Sequence, residues 1–594
     1  MKKAKYIIAF TLLIVVSFSC SESFFDKKPI GSTSETVFYT EKGLESLLIG
    51  AYAVAGGGIQ NTSGSGSGWG SSATNWTFGS AASDDAYKGS DEGDQVPANE
   101  VERWNIMPSN EYPAGKWKWQ MLGVTRINTM LKILKGTEGL TVPVATSFEA
   151  QAKFLRAWFN FEAYLVFKNI VILTEDTEDP TQVKNDIDPI PAIVSDLTYA
   201  YTNLPPTQTQ PGRPTKWAAA ALLARVHLNS DPINYAAAKP LLDDIIANSG
   251  KSLVTNFFDN YRIATEHNAE SIWEIEASVN NGSGYGSYTG EMGIGLNFPH
   301  GADIGMCCGF HQPSQNLVNA YKVDAGGLPM FTTFNDVDLK NDQGVASEAT
   351  FVPATDAVDP RLDLTVSRRG IPFMDWGVNR GRDWIRNQPD GGPYLPANKW
   401  QAKKSERATL ITQSGWMSGV NANNWRALRY AHVLLWRAEV AVSENTPASL
   451  AYAEQLVNQV RTRAANEKVM GRVTTYELPP SAYPFNVNID FGQPAANYLV
   501  NPYPVGTFAT QGQAYALRAV QWELRLEFAM EGHRFFDLRR WGIIKATLDA
   551  FAVADLRTRQ FMKDCVFTDK AKWAPIPQGQ IDLQPGVLVQ NPGY

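Results

Sequence analysis

The chain has 594 residues, 44% of them hydrophobic and 19% charged. It is long enough for several core-sized units and too apolar for a disordered chain. A net charge of −7 with no basic tract excludes binding to nucleic acid by phosphate neutralisation. Four cysteines, two of them adjacent, make no disulfide framework, so buried free thiols are expected, with a Cys307–Cys308 bridge as the alternative.

The N-terminus reads as an export signal. Lys2, Lys3 and Lys5 precede an apolar run from Tyr6 to Phe18, shorter than the about 20 residues of a transmembrane helix. Cys20 follows in the order Val16-Ser17-Phe18-Ser19-Cys20, which resembles the lipobox of bacterial lipoproteins apart from Phe18, where a small residue is usual. The expectation is a signal peptide over residues 1–19, a lipidated Cys20 with a tether to residue 40, and one folded domain over residues 41–594. Two or three acyl chains anchor firmly where one is marginal.

Helical periodicity first appears from Glu41 to Ala55, with Leu44, Leu47, Leu48 and Tyr52 on one face. Gly56 to Asp94 is then rich in Gly and Ser, yet it carries Trp69, Trp76, Phe78 and Tyr87 beside Asp84, Asp85, Asp91 and Asp94. A flexible linker has no use for tryptophans, so these rings either tuck into the core or line a recognition surface. The acids do not have the spacing of a calcium loop.

Helices are predicted over Pro113–Lys135, over Ser147–Phe167 with Ser147 as its cap, over Pro189–Asn203, over Thr215–Ser230, and over Tyr235–Ser249 with Pro240 inside. Small residues such as those of KWAAAALLARVHL let neighbouring helices pack closely. Paired helices of this kind suggest tetratricopeptide-like hairpins, although no strict 34-residue period is present.

Glu266–Asn280 reads as a strand, with His267 as a polar contact and not a ligand. Asn281–Pro299 is a second loop of glycines and aromatics, with Tyr285 and Tyr288. Ile371–Trp400 is a third, with Trp376 and Trp384. A helical hairpin is expected from Asn424 to about Ala465, and Val473–Gly512 reads as an insertion. From Gln521 to Gly542, Glu523, Glu527 and Glu531 recur every fourth residue, one face of a helix, where like charges repel unless the fold supplies partners. Glu531 and His533 are the nearest thing to a catalytic pair, but they match no zinc or hydrolase motif.

ELRLEFAMEGHRFFDLRRWG resembles the C-terminal signature of the SusD/RagB family of nutrient-binding lipoproteins. AKFLRAWFNFEAYLVF, EHNAESIWEIEASVN, DPRLDLTVSRRG, the segment from Asn424 and the terminal IPQGQIDLQPGVLVQNPGY follow in family-like order, with His432 where Glu is common. The resemblance implies a mainly α fold: about four tetratricopeptide-like helical hairpins, long loop excursions and a few short strands. It further implies a lipid-anchored protein at the surface of the outer membrane and a SusC-like TonB-dependent transporter as partner. It implies no enzyme and no cofactor. Stacking aromatics and polar loops suit glycan capture, with ligand-binding residues expected at Trp69, Trp76, Asp84, Tyr87, Tyr285, Tyr288, Trp376 and Trp384, and no metal site. Oligopeptide capture is the alternative. A hydrolase is a third reading, because paired carboxylates meet in space and not in sequence.

Overall fold

The computed structural model describes residues 35–57, 67–280, 288–289, 295–301, 308–396, 398–411, 420–477 and 486–594. The predicted signal and tether, Cys20, Cys307 and Tyr285 lie outside the described residues, and of Tyr288 only the backbone is described.

In chain order the main elements are α1 (Glu41–Tyr52), β1 (Ala86–Gly89), α2 (Glu111–Gly136), α3 (Val142–Phe167), α4 (Ile190–Asn203), α5 (Lys216–Asn229) and α6 (Tyr235–Asn248). Then come β2 (Ser271–Ile275), β3 (Phe310–Pro313), β4 (Trp425–Arg429), α7 (Tyr430–Glu444), α8 (Pro447–Ala464), β5 (Met470–Glu477) and β6 (Asn486–Pro494). The chain closes with α9 (Gln513–Phe528), α10 (Arg534–Arg540) and α11 (Ile544–Asp555). The fold is mainly α and tetratricopeptide-like. Four helical pairs, α2/α3, α4/α5, α6/α7 and α8/α9, form a continuous array in which each packs on the next.

Local chemistry starts these helices where the periodicity does. Thr40 caps α1 by accepting from the Gly43 amide at 3.0 Å, and Asn110 caps α2 from Tyr112 at 2.9 Å. Thr446 and Ser449 cap α8 reciprocally, ahead of Pro447 at the first helical position. The alanines from Ala218 to Ala221 are fully buried, so α5 sits close against its neighbours. The third helix begins at Val142, so Ser147 lies inside it and caps nothing.

Two expectations change. The stretch before α7 is a strand: β4 pairs antiparallel with β2, Ser271 opposite Arg429 and Ile275 opposite Trp425. All five β4 residues are buried, and the pairing supplies backbone partners that helical periodicity does not reveal. The run Gln521–Gly542 is not one helix. It stops at Phe528, and Met530 and Gly532 take left-handed backbone angles before α10 begins. Gly532 is required there, since an added Cβ would lie 1.7 Å from the Thr74 carbonyl oxygen.

In the insertion after α8, β5 pairs antiparallel with β6. Cys308 is disulfide-bonded, which corrects the free-thiol expectation for that residue. Cys565 is free.

Candidate functional site

The three glutamates of the C-terminal signature converge although the helix breaks between them. Glu523 pairs with Arg361 at 2.7 Å and Arg461 at 3.0 Å. Glu527 meets Arg361 at 3.1 Å, Arg429 at 3.0 Å and Arg463 at 2.5 Å. Glu531 accepts from Lys399 at 2.9 Å, Arg429 at 3.1 Å and the Tyr261 hydroxyl at 2.7 Å. Glu270 and Asp359 complete the network through Arg429, Arg463 and Arg361. Five cations thus face five carboxylates, all nearly inaccessible to water. A buried charge is tolerated when it is paired and hydrogen-bonded.

Burial alone would raise the Glu527 carboxyl, but Arg463, Arg429 and Arg361 outweigh it and hold it well below the ordinary carboxylate range. Burial holds His533 far below its ordinary value, as do the charges of Arg225 and Arg429. Its Nδ1 lies 3.1 Å from the Arg225 guanidinium. His432 stacks on Phe528 with ring centroids 3.7 Å apart and is likewise held neutral, chiefly by burial. Glu531 is taken up by three donors, and the half-buried His533 is held neutral beside the Arg225 guanidinium. Both side chains are thus engaged by partners of the scaffold.

Most of the anticipated binding residues are in the core. Trp69 is buried, and Trp76 is fully so, packed edge-on against Tyr112 and Phe310. Asp84 is buried against Arg534 at 2.8 Å and Arg525 at 3.0 Å. The Tyr87 hydroxyl donates to Asp555 at 2.6 Å, and its ring lies under the Arg559 guanidinium at 3.6 Å. Trp384 is buried with Phe373, Ile385 and Leu395. These residues correct the surface reading. Residues 69–90 of the Gly- and Ser-rich segment after α1 are buried in the scaffold, so their rings serve packing. Its acids are matched internally as well: Asp85 pairs with Arg525 at 2.8 Å, and Arg386 pairs with Asp91 at 2.6 Å and with Asp94.

Trp376 is different. It is partly exposed and lines a cavity of about 230 Å³ with Arg369, Gly377, Arg380, Val487 and Ile489. Its indole N–H donates to the Ala402 carbonyl at 3.0 Å, which fixes the ring plane. The opposite wall is β6, where Val487, Ile489 and Phe491 fall on one face by strand alternation. Phe491 is 66% exposed. Sequence reading missed it, although the alternation in NVNIDFG was the available signal.

Comparison with known proteins places the whole chain. The model of the SusD family matches residues 269–594, more than half of it. The chain belongs to the SusD family. A second family model, described as starch-binding and associating with the outer membrane, matches residues 23–228. A SusD-like protein of Bacteroides ovatus is 26% identical over 294 residues, 46% of this chain and half of that protein's length. A SusD-like protein of Formosa agariphila is 23% identical over 635 aligned positions, covering 100% of both chains. Among solved structures, surface glycan-binding protein A of Bacteroides thetaiotaomicron, in complex with laminarihexaose, is similar with a TM-score of 0.64 and 20% identity. That match covers 93% of this chain and 99% of the other, so the fold is shared over most of the chain.

Proposed function

We propose that this SusD-family chain is a cell-surface lipoprotein, anchored in the outer membrane through acylated Cys20, that captures oligo- or polysaccharide and passes it to a SusC-like TonB-dependent transporter. In this reading it binds and does not catalyse. The observation that carries it is the partly exposed Trp376 ring lining a cavity with Arg380, together with the exposed Phe491 on the strand whose Val487 and Ile489 form part of the cavity wall. Flat apolar rings pack on the C–H faces of sugars while polar groups bond the hydroxyls. The family described as starch-binding and the relative solved with laminarihexaose support the same ligand class. Tyr285 and Tyr288 stay in the proposed ligand set.

Calorimetry against starch and laminarin oligosaccharides tests the proposal. Trp376→Ala and Phe491→Ala are each expected to weaken binding by about tenfold, close to the ~1.4 kcal/mol expected of one stacked ring. No binding to any glycan, or binding indifferent to both substitutions, overturns it. Binding of a peptide mixture in place of glycans would select the oligopeptide reading.

A further inference from the structure

We infer that His267, Glu274 and Glu276 form a binding site for a divalent transition-metal ion of the zinc class, on a face of the scaffold distinct from the Trp376 cavity. This inference does not rest on glycan capture. One ligand atom from each of the three side chains lies within 4.8 Å of the other two. His267 Nε2 is 3.2 Å from a Glu276 oxygen, and Nδ1 is 3.8 Å from a Glu274 oxygen. An ion takes one of the two ring nitrogens, and with one atom per residue the set spans up to 4.8 Å; ligand atoms held at about 2.1 Å around a tetrahedral ion lie roughly 3.4 Å apart, so the exposed His267 and Glu276 side chains rotate to close it. An imidazole beside two carboxylates favours zinc and its neighbours over calcium, which prefers an all-oxygen shell.

The surroundings are those of a held site. The buried Glu274 accepts from the His267 backbone amide at 2.8 Å, which ties the ligand-bearing turn to β2. The Asn424 amide donates to Glu274 and to Glu276 at 3.0 Å each, and its oxygen accepts from the Ala277 amide at 2.8 Å. Asn424 thus orients both carboxylates from outside the ligand set. Its amide nitrogen is also 3.5 Å from His267 Nε2, so this NH2 group lies among the three ligands and an ion entering the set displaces it. Glu266, Glu274 and Glu276 face Arg426, 3.3 Å from Glu274, and Lys251 and Arg213 across the cavity, of which Arg213 is already paired with Glu45. A cavity of about 460 Å³, lined by Gly212, Trp217, Lys251, His267 and Glu274, gives an entry path and room for a water as fourth ligand. His267 is then a ligand, where its sequence suggested only a polar contact.

Titration of the purified full chain with zinc chloride and, separately, calcium chloride tests the site, with thermal unfolding as the second readout. Expected are one zinc per chain, a rise in Tm of at least about 2 °C at saturation, and much weaker calcium binding. His267→Ala should lower zinc affinity at least about 100-fold and Glu276→Gln about tenfold. Both side chains are partly exposed, so the variants keep the native circular-dichroism spectrum, and X-ray absorption should show one nitrogen among oxygen ligands. Sub-stoichiometric zinc, zinc affinity unchanged in both variants, or calcium binding as tight as zinc would each overturn the site, leaving His267 as an ion-pair partner of the glutamates only.

Discussion

Glu527 is where residue chemistry is most exacting. Its two oxygens answer three guanidiniums, so Glu527→Gln leaves buried cations short of charge. We expect a loss of about 3–5 kcal/mol, read as a fall in Tm or in urea midpoint, with glycan affinity unchanged. A larger effect on affinity than on stability would move the network into the binding machinery. Trp376→Ala should behave in the opposite way, costing affinity and little stability. The difference between these residues is solvent: Glu527 is fully buried, whereas one face of Trp376 is wet. Sequence spacing found the glutamates because four-residue recurrence is visible in text. It could not separate Trp376 from Trp76, because both are tryptophans in glycine-rich segments and only packing tells which one is covered.

At the scale of elements, the break after α9 decides how the C-terminal signature works. A straight helix would carry Glu531 one turn further along the same stripe. The left-handed turn at Met530 and Gly532 instead brings Glu531 back to Lys399 and Tyr261. Gly532 also fits into the turn at Thr74, and Gly79 fits against Gly532, where an added Cβ would lie 1.9 Å from its carbonyl oxygen. Gly532→Ala should therefore cost at least about 3 kcal/mol by denaturant unfolding, more than the ~1 kcal/mol of an ordinary glycine effect, because backbone and not a flexible side chain must move. A small change would mean that the contact relaxes easily. The helices α2 to α6 were legible to within a few residues from periodicity and caps. The strand β4 was not, because what makes it a strand is the edge of β2, some 150 residues upstream.

At the scale of the whole molecule, the network sets the response to acid. Arg156 and Lys135 hold Glu175 at about 2 against the opposing effect of burial, and Glu527 is held low by its three arginines. Both folded values lie below the unfolded value near 4.5. At pH 4 the unfolded chain binds more protons at these sites than the folded chain does. Their contribution is therefore complete above about pH 5 and is lost as pH falls toward 2. Burial raises Glu266 to about 7 and Asp342 to about 6, and these groups favour the folded chain as pH falls from 7 to 5, so the loss from Glu175 and Glu527 is read below that: urea midpoints should drop between pH 5 and pH 3. A midpoint that rises between pH 5 and pH 3 would contradict the assignment.

The sequence by itself determined most of the helices and the presence of a charged C-terminal hub, because periodicity, caps and recurrent acids are local properties of the text, and its resemblance to the SusD/RagB family implied how the helical pairs are arranged. Only the tertiary structure decided which aromatics are wet, which acids are matched and where His267 meets its glutamates. Those outcomes depend on chain segments far apart in sequence: Arg361, Arg429 and Arg463 around Glu527, β6 opposite Trp376, and Asn424 behind Glu274 and Glu276. Burial and pairing are properties of the packed molecule, and no spacing rule within a single segment contains them.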